Sequence, residues 1–215
     1  SSKFGENNKY GFFPSGAIAW NLHNESFIQS TNLINYLKLR LSYGEVGNQE
    51  IPNYRSLSQT STVAYLFGDN SPILGFTPAE FANPNLKWEH TRSVNVGLDF
   101  GILKNRLGGS VELYQSHTYD LLLEKSIPIT NGFASYFENI GETENKGIEV
   151  SLLGVIVDKG GFSWSVRPQF TINRNEIVAL TGQLDEEGNP VDDIDNRWFI
   201  GEPLTVYYDY DKVGI

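Results

Sequence analysis

The chain has 215 residues, a formal net charge of −10 from 26 acidic and 16 basic side chains, and neither Cys nor Met. This acidic balance, with no cluster of Lys or Arg to answer a phosphate backbone, argues against nucleic-acid binding. No apolar run reaches about 18 residues, so the sequence predicts no transmembrane helix. Because Met is absent, we expect residues 1–215 to be a segment of a longer protein.

Six segments are predicted to be strands because they alternate apolar and polar residues or are rich in aromatic side chains. In chain order they cover residues 10–22, 37–44, 88–100, 107–123, 142–157 and 161–175. Turn-forming residues fill the stretch 45–85, within which a short hairpin at 54–67 would add a possible seventh strand. The predicted fold class is therefore all-β, with about six to seven strands.

The segment 161–175 shows the strictest alternation. Its even positions from Phe162 to Ile172 are apolar, and its odd positions from Ser163 to Asn173 are polar. At roughly 3.3 Å per residue and a tilt of about 40°, about twelve residues span close to the ~25 Å apolar band of an outer-membrane barrel. The alternation alone fits equally well a long soluble strand with one buried and one solvated face.

The lengths of the connections favour the membrane interpretation. Those at 102–106 and 158–161 are short, whereas those at 126–139 and from 176 onward are long. Outer-membrane barrels have short turns on the periplasmic side and long loops on the outer side. This arrangement predicts that one side chain set faces lipid: Val94, Val96, Leu98, Phe100, Phe162, Trp164, Val166, Phe170 and Ile172.

Three of these residues, Phe100, Phe162 and Trp164, lie beside the short turns, where an aromatic girdle at the membrane interface is expected. The alternative is that they are ordinary core aromatics of a soluble β-sandwich.

Four phrases of the sequence carry a resemblance to a known family. They are LKLRLSYGEVGN at 37–48, NPNLKWEHTRSVNVGLDFGILKNRLGGSVELYQSHTYDLLL at 83–123, NIGETENKGIEVSLLG at 139–154 and GEPLTVYYDYDKVGI at 201–215. Together they resemble the barrel of SusC/RagA-type TonB-dependent outer-membrane receptors, and the likeness covers nearly the whole chain.

The resemblance implies a bacterial outer-membrane protein with a barrel of about 22 strands, an N-terminal plug, and import of an oligosaccharide or peptide with energy from TonB. It also implies a SusD-like surface lipoprotein as partner. The expected domain is a fragment of the transmembrane β-barrel over 1–215, without the plug and without a TonB box. Six or seven strands cannot close a barrel of that size.

No motif of a nucleotide-binding or catalytic site occurs, so we expect no enzyme and no cofactor. A β-rich hydrolase would need two carboxylates converging across a cleft, which the spacing of Glu142 and Glu144 does not establish. An acidic stretch offers weak candidates for calcium, although a solvated acidic loop is the competing interpretation. These candidates are Asp185, Asp192, Asp193 and Asp195.

Aromatic side chains in the long connections are the better candidates for ligand contact, because sugars pack their C–H faces on aromatic rings. They are Tyr65, Phe67, Phe133, Tyr136, Phe137 and Trp198. Each could instead fix its own loop or contact the lipoprotein partner. The alternative function for the whole chain is a soluble all-β binding or adhesion module with long ligand-binding loops.

Overall fold

The computed structural model describes residues 3–31, 33–66, 72–127, 130, 132–133 and 135–209. The strands are β1 (Ser15–Trp20), β2 (Ile34–Asn48), β3 (Gln59–Leu66), β4 (Pro72–Glu80), β5 (Glu89–Ile102), β6 (Leu107–Tyr119), β7 (Leu122–Ser126), β8 (Ser135–Asn139), β9 (Glu142–Lys159), β10 (Phe162–Val166) and β11 (Gln169–Ala179). One short helix, α1 (Ser26–Gln29), and 3-10 turns at Glu6–Asn8 and Leu22–Asn24 complete the named elements. None of the helical segments in these ranges has the length and apolar character needed to cross a bilayer. The all-β prediction is confirmed.

One antiparallel sheet contains most of the chain. Its strand order is β1-β2-β5-β6-β9, with β10 and β11 both paired to β9. The hairpins β3–β4 and β7–β8 form two separate small sheets. All six predicted strand segments therefore contribute to the main sheet, and consecutive segments are neighbours in it.

Pro168 divides the segment that was predicted as one strand over 161–175. Val166 pairs with Gly154 and Gln169 pairs with Ser151, so β11 continues the register that β10 has along β9 after a shift between Trp164 and Ser165. Proline has no N–H to donate to the ladder. Its carbonyl still accepts a hydrogen bond from the Leu152 N–H at 3.0 Å, so the two strands act as one wall element with a local interruption.

The bounds of two strands differ from the predicted ones. β1 starts at Ser15, later than the predicted residue 10, and the preceding Phe13 leaves the ladder to pack edge-on against Trp88 at 5.4 Å. β6 ends at Tyr119, earlier than the predicted residue 123, because Asp120 has a left-handed backbone with φ of 57°. Both differences arise from contacts and turns that alternation does not encode.

The long connections contain hairpins that the sequence indicated only in part. A hairpin was expected at 54–67, and the structure pairs β3 with β4 over 59–66 and 72–80. The hairpin β7–β8 was not predicted, since each of its strands has five residues without an alternating pattern.

The main sheet has an apolar face and a polar face, which the cross-strand register defines. One apolar row crosses the sheet from Leu41 through Val96, Leu113 and Ile148 to Ile172. The adjacent polar row runs from Arg40 through Gly97, Glu112 and Glu149 to Thr171. The register and the alternation along β5, β10 and β11 place all nine residues predicted to face lipid on the apolar face.

No second layer of the chain packs on this apolar face within the described ranges. The buried apolar residues of the described ranges are Phe4, Ile51, Leu86, Ile177 and Leu180, which lie in the segment before β1, in the long connections or at the end of β11. Side chains of the apolar face remain open, with Leu113 50% and Ile172 53% exposed. A soluble sandwich would bury these residues against a facing sheet.

The short connections lie on one rim of the sheet, called here the short-turn rim. Residues 103–106 join β5 to β6, and Gly160 and Gly161, both with positive φ, join β9 to β10. The connection 21–33 lies on the same rim but is longer and contains α1, so the predicted sorting holds for two of the three connections there. The opposite rim carries the first outer loop (49–88), the second (120–141) and the third (from 180).

Candidate functional site

A bidentate ion pair crosses the polar face at the middle of the sheet. The Arg40 guanidinium on β2 donates to both carboxylate oxygens of Asp99 at 2.9 Å and to Glu112 at 2.7 Å. Asn95 also donates to Glu112 at 3.4 Å. Charge-assisted hydrogen bonds of this kind fix the side chains of three adjacent strands against one another.

Gly97 makes this ion pair sterically accessible. A Cβ at this position would lie 2.8 Å from the Arg40 guanidinium carbon. The missing side chain lets Arg40 lie flat across β5 and reach β6 beyond it.

A second glycine performs the same role for an aromatic ring farther toward the outer loops. A Cβ on Gly147 would lie 2.6 Å from the Tyr114 hydroxyl oxygen, so the ring occupies the space above the glycine. The Asn173 amide donates to that hydroxyl at 3.0 Å, which links β6 to β11 across β9. The polar face therefore carries charges and hydrogen-bonding groups that contacts between strands hold in place.

The first and second outer loops are packed together into one layer. Phe4, Ile51 and Leu86 form a buried cluster against which Trp88, Leu122 and Phe137 pack. The Lys87 N–H donates to the Asn139 side chain at 2.9 Å, and the Asn139 amide donates back to the Lys87 carbonyl at 2.9 Å. These contacts make the base of both loops a rigid platform.

Three of the predicted ligand-contacting aromatics serve to join these two loops. Phe133 and Tyr136 of the second loop both pack edge-on against Phe81 of the first, with centroids at 5.4 and 5.5 Å. The Arg55 guanidinium carbon lies over the ring of Phe137, 5.2 Å from the ring centroid. Burial raises the pKa of the Tyr136 hydroxyl, and its hydrogen bond to Glu138 adds to the shift.

The remaining aromatic candidates occupy different places. Tyr65 lies on β3, opposite Ile73, and is 45% exposed. Phe67 lies outside the described residues. Trp198, in the third outer loop, is half-buried and exchanges two backbone hydrogen bonds with Asp193 at 2.8 and 2.9 Å.

Trp198 is the aromatic candidate that the structure places in a cleft. One cavity of about 390 Å³ is lined by Leu123, Glu124, Ser126, Ser135, Asn196 and Trp198. A neighbouring cavity of about 480 Å³ extends it along the third loop and shares Glu124, Ser126 and Asn196 with it. The cleft therefore lies between the second and third outer loops.

Three of the predicted calcium candidates, Asp192, Asp193 and Asp195, line the larger cavity of this cleft, whereas Glu124 and Ser135 were not among the predicted site residues. Glu124 accepts a hydrogen bond from the Ser135 hydroxyl, and the Lys125 ammonium pairs with Glu138 at 3.0 Å. Recognition of the hairpin β7–β8, in which Ser135 pairs with Ser126, would have been needed to place Ser135 within reach of Glu124. An aromatic ring beside carboxylate, hydroxyl and amide groups can hold a sugar or a peptide by stacking and by hydrogen bonds.

The acidic candidates for calcium mostly accept hydrogen bonds from their own loop. Asp185 accepts from the backbone N–H groups of Glu187 and Asn189, and the latter bond is the largest reason why its pKa is lowered. Asp193 accepts twice from Asn196, and Asp192 accepts from the Ile200 N–H at 2.8 Å. Over the part of the chain that the structure describes, no three acidic or histidine side chains converge as metal ligands do. Calcium binding by Asp185, Asp192, Asp193 or Asp195 stays a prediction.

Comparisons with known proteins agree on one family. The sequence pattern of the family described as "TonB dependent receptor-like, beta-barrel" matches residues 1–212. A TonB-dependent receptor of Formosa agariphila is 39% identical over 220 residues, which cover 100% of this chain and 22% of that protein. The TonB-dependent receptor SusC of Bacteroides thetaiotaomicron is 39% identical over 193 residues, which cover 87% of this chain and 19% of SusC.

Solved structures give the same result for the fold. The RagAB peptide importer in its "open-open" state matches with a TM-score of 0.78 and 33% identity, over 94% of this chain and 21% of that one. The RagAB peptide transporter matches with a TM-score of 0.74 and 31% identity. The chain spans about a fifth of the length of the relatives it matches.

Proposed function

Because the chain belongs to the TonB-dependent receptor-like β-barrel family, we propose that it forms wall and outer loops of an outer-membrane importer for an oligosaccharide or peptide nutrient. The observation that carries this proposal is the sheet itself. One face is apolar and uncovered, the other carries the ion pair of Arg40 with Asp99 and Glu112, and long loops lie on one rim. A barrel wall between hydrocarbon and a wet lumen needs this combination.

Each part of the sheet has a role in the importer. The apolar face contacts lipid, and the polar face lines the lumen and contacts the plug domain. The three outer loops face the cell exterior, where a SusD-like surface lipoprotein covers them, while TonB acts on the receptor from the periplasm. Membership of a receptor family also agrees with the lack of a catalytic motif in the sequence.

Ligand contact centres on the cleft beside Trp198. The first and second loops use Phe133, Tyr136 and Phe137 to hold each other, so their rings are engaged within the protein. Trp198 lines an open cleft together with Glu124 and Asn196. A sugar ring or a peptide side chain stacked on the indole would keep its polar groups within reach of these two residues.

Uptake by cells tests the importer. A strain that lacks the complete receptor should lose growth on one class of nutrient, oligosaccharide or peptide, and the receptor should be recovered in the outer-membrane fraction. Recovery in the soluble fraction, or unchanged growth on both classes of nutrient, would contradict the proposal.

Binding to the complete receptor tests the cleft. Trp198→Ala should weaken binding of the imported ligand by roughly 1–3 kcal/mol, the range for loss of an aromatic contact in a pocket. Trp164→Ala is the matched control, since Trp164 lies near the short-turn rim on the apolar face. Equal binding by Trp198→Ala and the unaltered receptor would exclude the cleft as a ligand site.

A further inference from the structure

A shallow groove on the apolar face combines an apolar floor with a row of hydrogen-bond donors. Its volume is about 600 Å³, and its lining includes Val94, Val96, Leu113, Ile148 and Ile172. Gln115, Lys146 and Arg174 border it on the side toward the outer loops. We propose that this groove binds a phosphate-bearing lipid of the outer leaflet, with an acyl chain on the apolar floor and the phosphate on Lys146 and Arg174.

The register places the three donors side by side. Val94 pairs with Gln115, Gln115 with Lys146, and Lys146 with Arg174, so the donors occupy one row across β6, β9 and β11. Neighbouring strands lie about 4.8 Å apart, so the row covers about 10 Å. Two residues farther along each strand, toward the short-turn rim, the row becomes Leu113, Ile148 and Ile172. The donors thus stand directly at the border of the apolar face.

Two cations opposite each other on adjacent strands repel, and an anion between them relieves the repulsion. Lys146 and Arg174 have this arrangement, and their side chains are 44% and 69% exposed. The carboxylates two residues farther toward the outer loops compensate Lys146 well and Arg174 weakly. Glu144 lies 2.5 Å from the Lys146 ammonium and accepts a hydrogen bond from the Gln115 amide at 2.7 Å, whereas Glu176 lies 3.4 Å from both the ammonium and the Arg174 Nε.

Unused donor capacity remains at this row. A guanidinium has five N–H donors, and within the described residues the ion pair of Arg174 uses its Nε alone, at 3.4 Å. A lipid phosphate would therefore meet free N–H groups beside the hydrocarbon border, where charge attraction is screened less than in bulk water. The proposal concerns the lipid-facing surface and is independent of the ligand cleft.

Lipid retention by the complete receptor in detergent tests the site. The receptor is delipidated, incubated with diphosphoryl lipid A or with its dephosphorylated counterpart, and examined by native mass spectrometry. Lys146→Gln and Arg174→Gln should each lower retention of diphosphoryl lipid A by roughly fivefold and together by roughly thirtyfold, given about 1 kcal/mol per cation near a lipid phosphate. Arg167→Gln is the matched control, because Arg167 lies between β10 and β11 and does not line the groove.

Two further arms separate this site from general lipid adhesion. Glu176→Gln removes the competing carboxylate and should raise retention, whereas a fall would overturn the proposal. Phosphatidylglycerol should be retained less than diphosphoryl lipid A, and inorganic phosphate should not displace the bound lipid. Equal retention of phosphorylated and dephosphorylated lipid A, or unchanged retention in the double variant, would also overturn it. Heat-dependent gel mobility confirms that each variant is folded.

Discussion

Removal of Arg40 should destabilise the barrel wall measurably. Arg40→Gln deletes three charge-assisted hydrogen bonds, two to Asp99 and one to Glu112. It also leaves two carboxylates close together on the polar face without their counter-ion. The side chains are between 24% and 34% exposed, which places the pair between a surface pair and a buried one.

The magnitude follows from this intermediate burial. Exposed ion pairs contribute about 0–1 kcal/mol, and breaking a buried pair costs about 3–5 kcal/mol, so we expect a loss of about 2–3 kcal/mol. Urea unfolding of the complete receptor, followed by heat-dependent gel mobility, measures it. Lys38→Gln is the control, because Lys38 lies on the same face of β2 and forms no ion pair within the described part of the chain.

A second substitution distinguishes the geometry of the Arg40 ion pair from the mere presence of its charge. Gly97→Ala keeps every charge but places a Cβ 2.8 Å from the Arg40 guanidinium carbon, so it should produce part of the same loss. If Arg40→Gln unfolds at the same urea concentration as the unaltered receptor, or if Lys38→Gln loses as much, the bridge does not stabilise the wall.

Three further changes test other parts of the molecule. Val150→Arg on the apolar face should cost about 2–4 kcal/mol in the same urea assay, and Ser151→Arg on the polar face distinctly less; equal costs would contradict the assignment of the faces. Gly147→Val should lower the yield of folded receptor, because a Cβ would lie 2.5 Å from the Ile172 backbone oxygen and 2.6 Å from the Tyr114 hydroxyl; an unchanged yield would show that both the backbone of β11 and the ring can move away. The pKa of Asp185 is lowered in the folded protein, so its carboxylate stabilises the third loop fully above its unfolded pKa and loses this effect as pH falls below about 4. Acid should therefore speed proteolysis of the third loop. Asp185→Asn should remove this pH dependence.

The main sheet could be predicted from the sequence because its strands all follow one rule, which is that one face is apolar and the other is polar. Alternation between Phe162 and Ile172 requires that the two faces of the strand meet different media, and the register then places the same contrast on every neighbouring strand. The resemblance to SusC/RagA-type receptors, inferred from four phrases, is confirmed by the family match over residues 1–212.

The loops could not be predicted to the same degree, because their structure depends on contacts between distant segments. Phe133 and Tyr136 pack against Phe81, which lies in a different outer loop. No sequence pattern within the second loop predicts a contact partner in the first loop. Glu124 and Ser135 line the cleft only because β7 pairs with β8. Trp198 was identified from its residue type, and its place in the cleft came from the fold.

The lower margin of the apolar face gives independent support for a planar hydrocarbon boundary. On β2 the last apolar residue of this face toward the short-turn rim is Ile34, which pairs with Ile102 beyond a register shift and whose row passes through Leu107 and Gly154 to Val166. On β10, four strands away, the apolar positions of this face continue for four more residues, from Val166 to Phe162. Four residues cover about 13 Å along a strand, and four strand spacings cover about 19 Å across the sheet.

The margin is therefore inclined at about 35° to the hydrogen-bond rows, at the lower end of the tilt of about 35–45° found for strands in outer-membrane barrels. The margin toward the outer loops is inclined in the same direction. It lies nearer the short-turn rim on β6 than on β5, since Val94 on β5 is apolar whereas its partner Gln115 on β6 is polar. Packing against a second protein layer does not require the apolar face to end along an oblique line on both margins. A flat bilayer crossed by tilted strands must do so, because it meets each successive strand at a different residue.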